Sequence, residues 1–175
     1  MLTIFQADIA RAEHRRHVRA LFWEYLGWAN ARLDEAFGIR FDIAEIIEQD
    51  MADLQKFAPP RGRLLLAEYE AAIAGLACMR PIGAGLGEIK RMYVRPAYRR
   101  RGIGRALLEA AIREARRTGY ATLRLDSARF MKPAQALYRD LGFAEIAPYP
   151  ESEIPEAYRA HWVFMELPLQ PGGPE

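Results

Sequence analysis

A run of basic residues beside two glycines is the first feature of the chain that suggests chemistry. The segment 95–110 reads RPAYRRRGIGRALLEA and places three consecutive arginines directly before Gly102 and Gly104. Good helix formers follow, so the glycines are predicted to open a helix. Free N–H groups at a helix start bind anions, and a glycine lets a phosphate approach the backbone because it has no Cβ. The segment therefore predicts a phosphate-binding turn, and the alternative is a solvated loop with surface arginines.

The turn differs from two other phosphate-binding loops. It lacks the Gly-Lys-Ser/Thr ending of a P-loop, and its two glycines do not form the three-glycine fingerprint of dinucleotide-binding folds. No acidic residue interrupts the positive charge between positions 90 and 105, where the basic residues are Lys90, Arg91, Arg95, Arg99, Arg100, Arg101 and Arg105. The stretch therefore favours a local anion site of another type.

Strands and helices that must position this turn are predicted from hydrophobic periodicity and from Gly/Pro turn signals. Strands are predicted at residues 2–7, 63–69, 72–82, 88–96, 122–126, 143–146 and 162–167. Helices are predicted at residues 9–30, 41–57, 102–117 and 132–141. This order indicates a mixed α+β fold built around one sheet.

Length and composition limit the class of protein. The chain has 175 residues, of which 51% are apolar, so we predict one domain over residues 1–168 and a flexible Pro/Gly-rich tail over 169–175. Cys78 is the only cysteine and lies in an apolar run typical of a buried thiol. The order of charges at the N-terminus is wrong for a signal peptide, and no stretch approaches the ~18 apolar residues of a membrane span. We therefore expect a cytoplasmic protein with no membrane partner.

The charge balance bears on nucleic-acid and metal partners. The formal net charge is +2 at pH 7, which disfavours a dedicated nucleic-acid binder. The arginine cluster also lacks interleaved stacking aromatics apart from Tyr93 and Tyr98, so a nucleic-acid contact is not expected there. The three histidines, His14, His17 and His161, show no metal-ligand spacing, so no metal site is expected.

The pattern Arg99-x-x-Gly102-x-Gly104 resembles the Arg/Gln-x-x-Gly-x-Gly/Ala signature of the GCN5-related N-acetyltransferase (GNAT) superfamily. The segments MYVRPAYRRRGIG, TLRLD and ALYRDLGF also occur in the superfamily's order and spacing, over about residues 63–146. The resemblance is to small stand-alone bacterial members. It implies a mostly antiparallel twisted sheet of six to seven strands, splayed at the cofactor site and flanked by about four helices. It also implies an acetyl-CoA-dependent N-acetyltransferase.

The same resemblance assigns the cofactor site. It implies that the glycine turn wraps the pyrophosphate of acetyl-CoA with backbone amides and that the preceding strand end binds the pantetheine arm. The cofactor-binding residues expected on this basis are Met92, Tyr93, Val94, Arg99, Arg100, Arg101, Gly102, Ile103, Gly104, Arg105 and Lys132. The main-chain N–H of Met92 is the expected oxyanion donor. The sequence departs from many relatives at Met131, where they carry an asparagine that contacts the cofactor.

Two side chains are candidates for acid–base chemistry. Acetyl transfer to an amine needs a base for the amine, whose free pKa is near ~10, and a proton donor for the departing thiolate. The resemblance implies that Glu88, near the start of the strand that leads to the turn, is the base, directly or through water. It implies that Tyr138, whose phenol is protonated at neutral pH, is the acid. The alternatives are a surface glutamate paired with Lys90 and a tyrosine that belongs to the core.

The acceptor side of the sequence is less specific. The resemblance implies a pocket built from residues 9–57, 83–87 and 147–161. We expect direct transfer in a ternary complex to a primary amine of a small or amino-acid-like molecule. A protein or peptide amine acceptor and a non-catalytic acyl-CoA sensor are the alternatives, and a homodimer is left open.

Overall fold

The elements are known from a computed structural model, which describes residues 1–170. In this part of the chain the strands are β1 (Leu2–Gln6), β2 (Arg63–Tyr69), β3 (Ala72–Gly83), β4 (Leu86–Val94), β5 (Thr122–Ala128), β6 (Ala144–Ile146) and β7 (Trp162–Pro168). The α-helices are α1 (Ala12–Phe37), α2 (Ile43–Ala52), α3 (Ile103–Thr118) and α4 (Lys132–Asp140). Short 3-10 helices cover Leu54–Phe57, Pro96–Tyr98 and Glu156–His161.

The strands form one mixed sheet in the order β1-β2-β3-β4-β5-β7-β6. All neighbours are antiparallel except β4 and β5, which are parallel. The β4–β5 pairing covers only residues 86–88 and 122–124. Beyond these positions both strands continue without pairing to each other, so the sheet opens between them. The mostly antiparallel, splayed sheet with four α-helices confirms the expected fold class.

A β-bulge in β4 shapes the edge of this opening. Tyr93 faces Leu76 and Lys90 faces Cys78, so Arg91 and Met92 together stand opposite a single residue of β3. Arg91 has a positive φ of 53°, which is uncommon for a residue with a side chain. A bulge bends its strand and changes the direction of its side chains, and such bulges are frequent beside active sites.

Helices cover both faces of the sheet. On one face, α3 and α4 pack on a core that includes Ile89, Leu123 and Leu125. On the other face, α1 and α2 pack on the alternate residues of β2 and β3 and on Tyr93. The opening between β4 and β5 therefore connects the two faces at the centre of the molecule.

Three of the differences from the predicted boundaries have a visible physical cause. Helix α1 extends to Phe37 because Leu33 is buried and Gly38, in the left-handed conformation, caps the end through its N–H to the Asp34 carbonyl. Helix α2 begins at Ile43, where the Asp42 side chain accepts the Glu45 N–H at 3.0 Å. Leu169, expected in the tail, is buried and donates its N–H to the Ala121 carbonyl at 2.7 Å. Residues 171–175 of the expected tail lie outside the described residues.

No helix within residues 1–170 is both long enough and apolar enough to cross a membrane.

Candidate active site

The glycine-containing turn presents a row of free backbone amides. Arg100 and Gly102 both have positive φ, 60° and 77°, and α3 starts directly after Gly102. Within residues 1–170, the N–H groups of residues 100–105 meet no carbonyl acceptor, and the first helical bond is from the Ala106 N–H to the Gly102 carbonyl. Successive amides that alternate around left-handed residues form a concave nest for anions. The helix dipole of α3 adds positive potential at the same place.

Arg99 lies between this turn and the opening in the sheet. Its Nε donates to the Val94 carbonyl at 3.1 Å, and its guanidinium lies 5.7 Å from the Trp28 ring centre and 5.8 Å from that of Tyr93. The Val94 carbonyl is at the end of β4, where no strand pairs with the free edge. Arg99 therefore occupies the strand end that the sequence analysis assigned to the pantetheine arm.

The other arginines of the cluster differ in the partners of their side chains. Arg101 packs on the Tyr69 ring at 5.3 Å. Arg105 forms ion pairs with Asp140 and, at 3.7 Å, with Glu109. Arg100 is exposed. Only Arg100 has no ion-pair, hydrogen-bond or ring partner within the described part of the chain.

A cavity of about 310 Å³ lies between the separated ends of β4 and β5. Four of the predicted site residues line it together, namely Met92, Tyr93, Arg99 and Tyr138. The turn adjoins this cavity, since the Cβ position of Gly104 is 3.9 Å from both Met92 and Val94 side-chain atoms. The structure thus brings the predicted amide turn, strand end and tyrosine to one place.

Tyr138 extends from α4 toward this cavity. Within residues 1–170 its hydroxyl has one hydrogen-bond partner, the Met92 sulfur at 4.0 Å. Burial raises the pKa of Tyr138 above its ordinary value, and the nearby Tyr25 and Asp126 raise it further. The phenol therefore stays protonated at neutral pH and keeps its proton free to donate.

A second cavity of about 480 Å³ adjoins the first on the side of α1 and α2. Its apolar wall consists of Leu26, Ala29, Leu33, Phe41, Ile46, Ile154, Pro155 and Trp162. Six residues line both cavities, namely Tyr25, Lys90, Arg91, Asp126, Ser127 and Met131. Two molecules, one in each cavity, would therefore meet at these six residues.

Asp126 is the only carboxylate among the six shared residues and was not among the site residues predicted from the sequence. Its side chain is 9% exposed, accepts from the Ser152 hydroxyl at 3.2 Å and has the Lys90 ammonium 3.9 Å away. Alternation along β5 places it on the face opposite to the buried Leu125. No clear sequence signal marks this role, because β5 alternates polar and apolar residues and Asp126 follows Thr122 and Arg124 on its polar side.

Glu88 lies deeper in the sheet than the sequence analysis expected. Its side chain is fully buried and lines neither cavity. One carboxylate oxygen accepts from the Arg80 guanidinium at 2.9 Å, and the other accepts from the Tyr149 hydroxyl at 2.7 Å. The alternative of a surface pair with Lys90 is also absent from the described residues, where Lys90 instead pairs with Glu153 and Asp126.

Met131 precedes α4 at the position where many relatives carry an asparagine, so the polar contacts in this region come from other residues. Met131 lines both cavities, and Lys132, the first residue of the helix, is exposed and lines neither. The polar contacts here come from Gln135, whose amide donates to the Ala128 carbonyl at 2.8 Å and to the Ser127 hydroxyl at 3.3 Å. Gln135 thereby fixes the end of β5, which carries Asp126.

Among residues 1–170 no group of three or more His, Cys, Asp or Glu side chains has the arrangement of a metal site.

Comparison with known proteins gives consistent results for sequence and fold. The sequence model of the Acetyltransferase (GNAT) family matches residues 16–143. The chain is 31% identical over 137 residues to an uncharacterized N-acetyltransferase of Schizosaccharomyces pombe, which covers 77% of this chain and 81% of that protein. It is 37% identical over 121 residues to the IAA acetyltransferase of Azospirillum brasilense, covering 68% and 76%. The fold is similar to that of the PaiA N-acetyltransferase of Thermoplasma acidophilum in complex with coenzyme A, with a TM-score of 0.71, 19% identity and coverage of 96% and 99%.

Proposed function

Because this chain belongs to the acetyltransferase (GNAT) family, we propose that it transfers acetyl directly from acetyl-CoA to a primary amine of a small molecule. The observation that carries the proposal is the meeting of two cavities at Asp126, one of them lined by Tyr138 and by Arg99, which directly precedes the amide turn. An arrangement with one cavity for each substrate suits a ternary complex, since it holds both reactants in place at once.

The residues around the first cavity fit acetyl-CoA. The free amides of residues 100–105 suit a pyrophosphate, and the unpaired edge of β4 offers N–H and C=O groups to an amide-containing arm. A solved relative of the same fold is a complex with coenzyme A, which supports this assignment. When bound, acetyl-CoA supplies a thioester whose carbonyl carbon an amine can attack. We assign the Met92 N–H as the donor to the thioester oxygen.

Two side chains move the protons in this proposal. Asp126 accepts a proton from the attacking amine, because it is the carboxylate that both cavities reach. Tyr138 donates its proton to the departing sulfur, because its hydroxyl has no stronger partner than the Met92 sulfur. The new C–N bond forms as the C–S bond breaks, Asp126 releases the proton of the amine to solvent, and solvent restores the proton of Tyr138.

The amide turn can be tested by replacing Gly102 with alanine. No atom lies within 4 Å of the Cβ position, so the cost is backbone strain at a φ of 77°, about 1–2 kcal/mol for a residue with a side chain. The strain lowers the population of the binding-competent turn, so the Kd of acetyl-CoA is expected to rise about tenfold in calorimetry. The control is Gly119→Ala at the other end of α3, where φ is 87° and no described atom lies within 4 Å of the Cβ position. Equal affinities for the two variants would contradict the assignment of the turn.

The position of Glu88 leads to a second test. The change Glu88→Gln leaves the Arg80 guanidinium without its buried counter-charge. The free energy of unfolding should therefore fall by about 1–3 kcal/mol. With Asp126 as base, kcat should stay within about threefold of the wild type. Denaturant unfolding and steady-state kinetics measure the two effects. Loss of turnover at unchanged stability would instead support Glu88 as the base, as the sequence analysis proposed.

A thiol-release assay tests the function as a whole. Acetyl-CoA is offered together with amino acids, polyamines, aminoglycosides and peptides, and the release of free CoA is followed. We expect amine-dependent release with at least one small amine. Binding of acetyl-CoA without any amine-dependent release, unaffected by Asp126→Asn, would support the sensor alternative.

A further inference from the structure

A cluster of charged residues forms the floor of the second cavity. Its cations are Lys56, Arg80, Lys90 and Arg91, and its carboxylates are Asp50, Glu88, Asp126 and Glu153. All of them line the cavity except Arg80 and Glu88, which stand behind it. We call these eight residues the floor cluster.

Three of the four carboxylates lie on helices or strands of the core, and we call them the framework carboxylates. Asp50 on α2, Glu88 on β4 and Asp126 on β5 all have side chains that are at most 9% exposed. Asp50 pairs with Lys56 at 2.7 Å and with Arg91 at 2.8 Å. Four cations against three framework carboxylates leave one positive charge, which Glu153 neutralises. An uncompensated charge in such a buried place is costly, so the floor cluster requires one more anion.

Glu153 differs from the framework carboxylates in how it is held. It lies on the loop between β6 and β7, and its side chain is 37% exposed. Its oxygens lie 3.1 Å from both Arg80 and Lys90 and 3.6 Å from Arg91. Burial acts to raise the pKa of Glu153, but Lys90, Arg91 and Arg80 outweigh it and lower the pKa to about 2. These three cations therefore form a strong site for one carboxylate, and rotation into solvent could remove Glu153 from it.

We propose that this site receives the carboxylate of the acceptor, that Glu153 occupies it when no acceptor is bound, and that the acceptor is a free α-amino acid with an apolar side chain. The inference rests on the proposed function and names the substrate class for it.

The contacts of Lys90 suit an α-amino acid. The Lys90 ammonium lies 3.1 Å from Glu153 and 3.9 Å from Asp126. A carboxylate in the place of Glu153 would therefore share Lys90 with the proposed base. In an α-amino acid the amine and the carboxyl group are bonded to the same carbon. One molecule can therefore place its carboxylate among the three cations and its amine beside Asp126. The side chain of the amino acid then faces the apolar wall around Phe41 and Trp162.

The acceptor class is tested with matched amines. Leucine, methionine and phenylalanine are compared with their α-carboxamides, with isoamylamine and phenethylamine, and with the dipeptide Leu-Gly. Loss of a charge-assisted carboxylate contact should lower kcat/KM about tenfold or more for every compound that lacks the free α-carboxylate. Equal or better turnover of the amides or amines, or binding of acetyl-CoA with no turnover of any amino acid, would overturn the inference. Absence of acetyl-CoA binding would instead overturn the proposed function.

The role of Glu153 is tested with the change Glu153→Gln on the best amino acid of that panel. Removing the competing carboxylate should lower the KM several-fold, and calorimetry on the CoA-loaded protein should show the same gain in affinity. The control is Glu151→Gln on the same loop, which is also 37% exposed but pairs with Arg124 and lines neither cavity. Thermal unfolding verifies that both variants fold. A higher or unchanged KM for Glu153→Gln would contradict the exchange and point to a purely structural ion pair.

Discussion

Replacing Asp126 by asparagine is expected to lower kcat by a factor on the order of 10²–10⁴, the usual contribution of a general base. The amide keeps the size of the side chain and can still accept from the Ser152 hydroxyl, but it cannot take a proton from the amine. Steady-state kinetics at saturating acetyl-CoA measure the loss. The Kd of acetyl-CoA should stay within about threefold, because the partners of Asp126 are Ser152 and Lys90, neither of which belongs to the amide turn.

A second carboxylate of the floor cluster provides the matched comparison. Glu88→Gln removes one carboxylate from the same cluster but outside both cavities, so its kcat should stay within about threefold of the wild type. Asp126→Asn and Glu88→Gln are therefore compared at one pH, with the same acceptor and at saturating acetyl-CoA. If Asp126→Asn kept its kcat while Glu88→Gln lost it, the assignment of the two residues would be reversed.

The two carboxylates also show where sequence reasoning reached its limit. The amide turn was predictable because its residues are contiguous and a local conformation produces the site. The surroundings of Glu88 were not, since Arg80 comes from β3 and Tyr149 from the loop before β7. No local pattern indicates that a loop 61 residues later places a hydroxyl on a strand glutamate. Side-chain environment, unlike backbone conformation, depends on contacts that are distant in sequence.

The same distinction applies to the fold. Strand positions and the antiparallel meander could be predicted from periodicity, whereas the extra turns of α1 depend on Leu33, which packs beside Trp162 from the other end of the chain. The second cavity requires α1, α2, three strands and the loop before β7 together. Its net charge, which carries the inference about the acceptor, depends on pairs such as Asp50 with Arg91 that only the assembled structure reveals.

Replacing Tyr138 by phenylalanine is expected to lower kcat about 10²-fold, because the departing thiolate then lacks its proton donor. The hydroxyl has only the weak contact to the Met92 sulfur, so the stability of the protein should change little. The control is Tyr120→Phe, in which the lost hydroxyl donates to the Arg61 carbonyl at 2.7 Å outside both cavities. That variant should lose about 1 kcal/mol of stability and keep its kcat.

The leaving group decides whether Tyr138 acts as an acid or only positions the thioester. A thiol of low pKa leaves readily without protonation, so the defect of Tyr138→Phe should shrink when acetyl-CoA is replaced by the acetyl thioester of an acidic aromatic thiol. Such a truncated donor binds weakly, and the comparison is therefore made on the ratio of wild-type to variant kcat/KM for each donor. A residue that only positions the thioester would give the same ratio with both donors, because its contribution does not depend on the basicity of the sulfur.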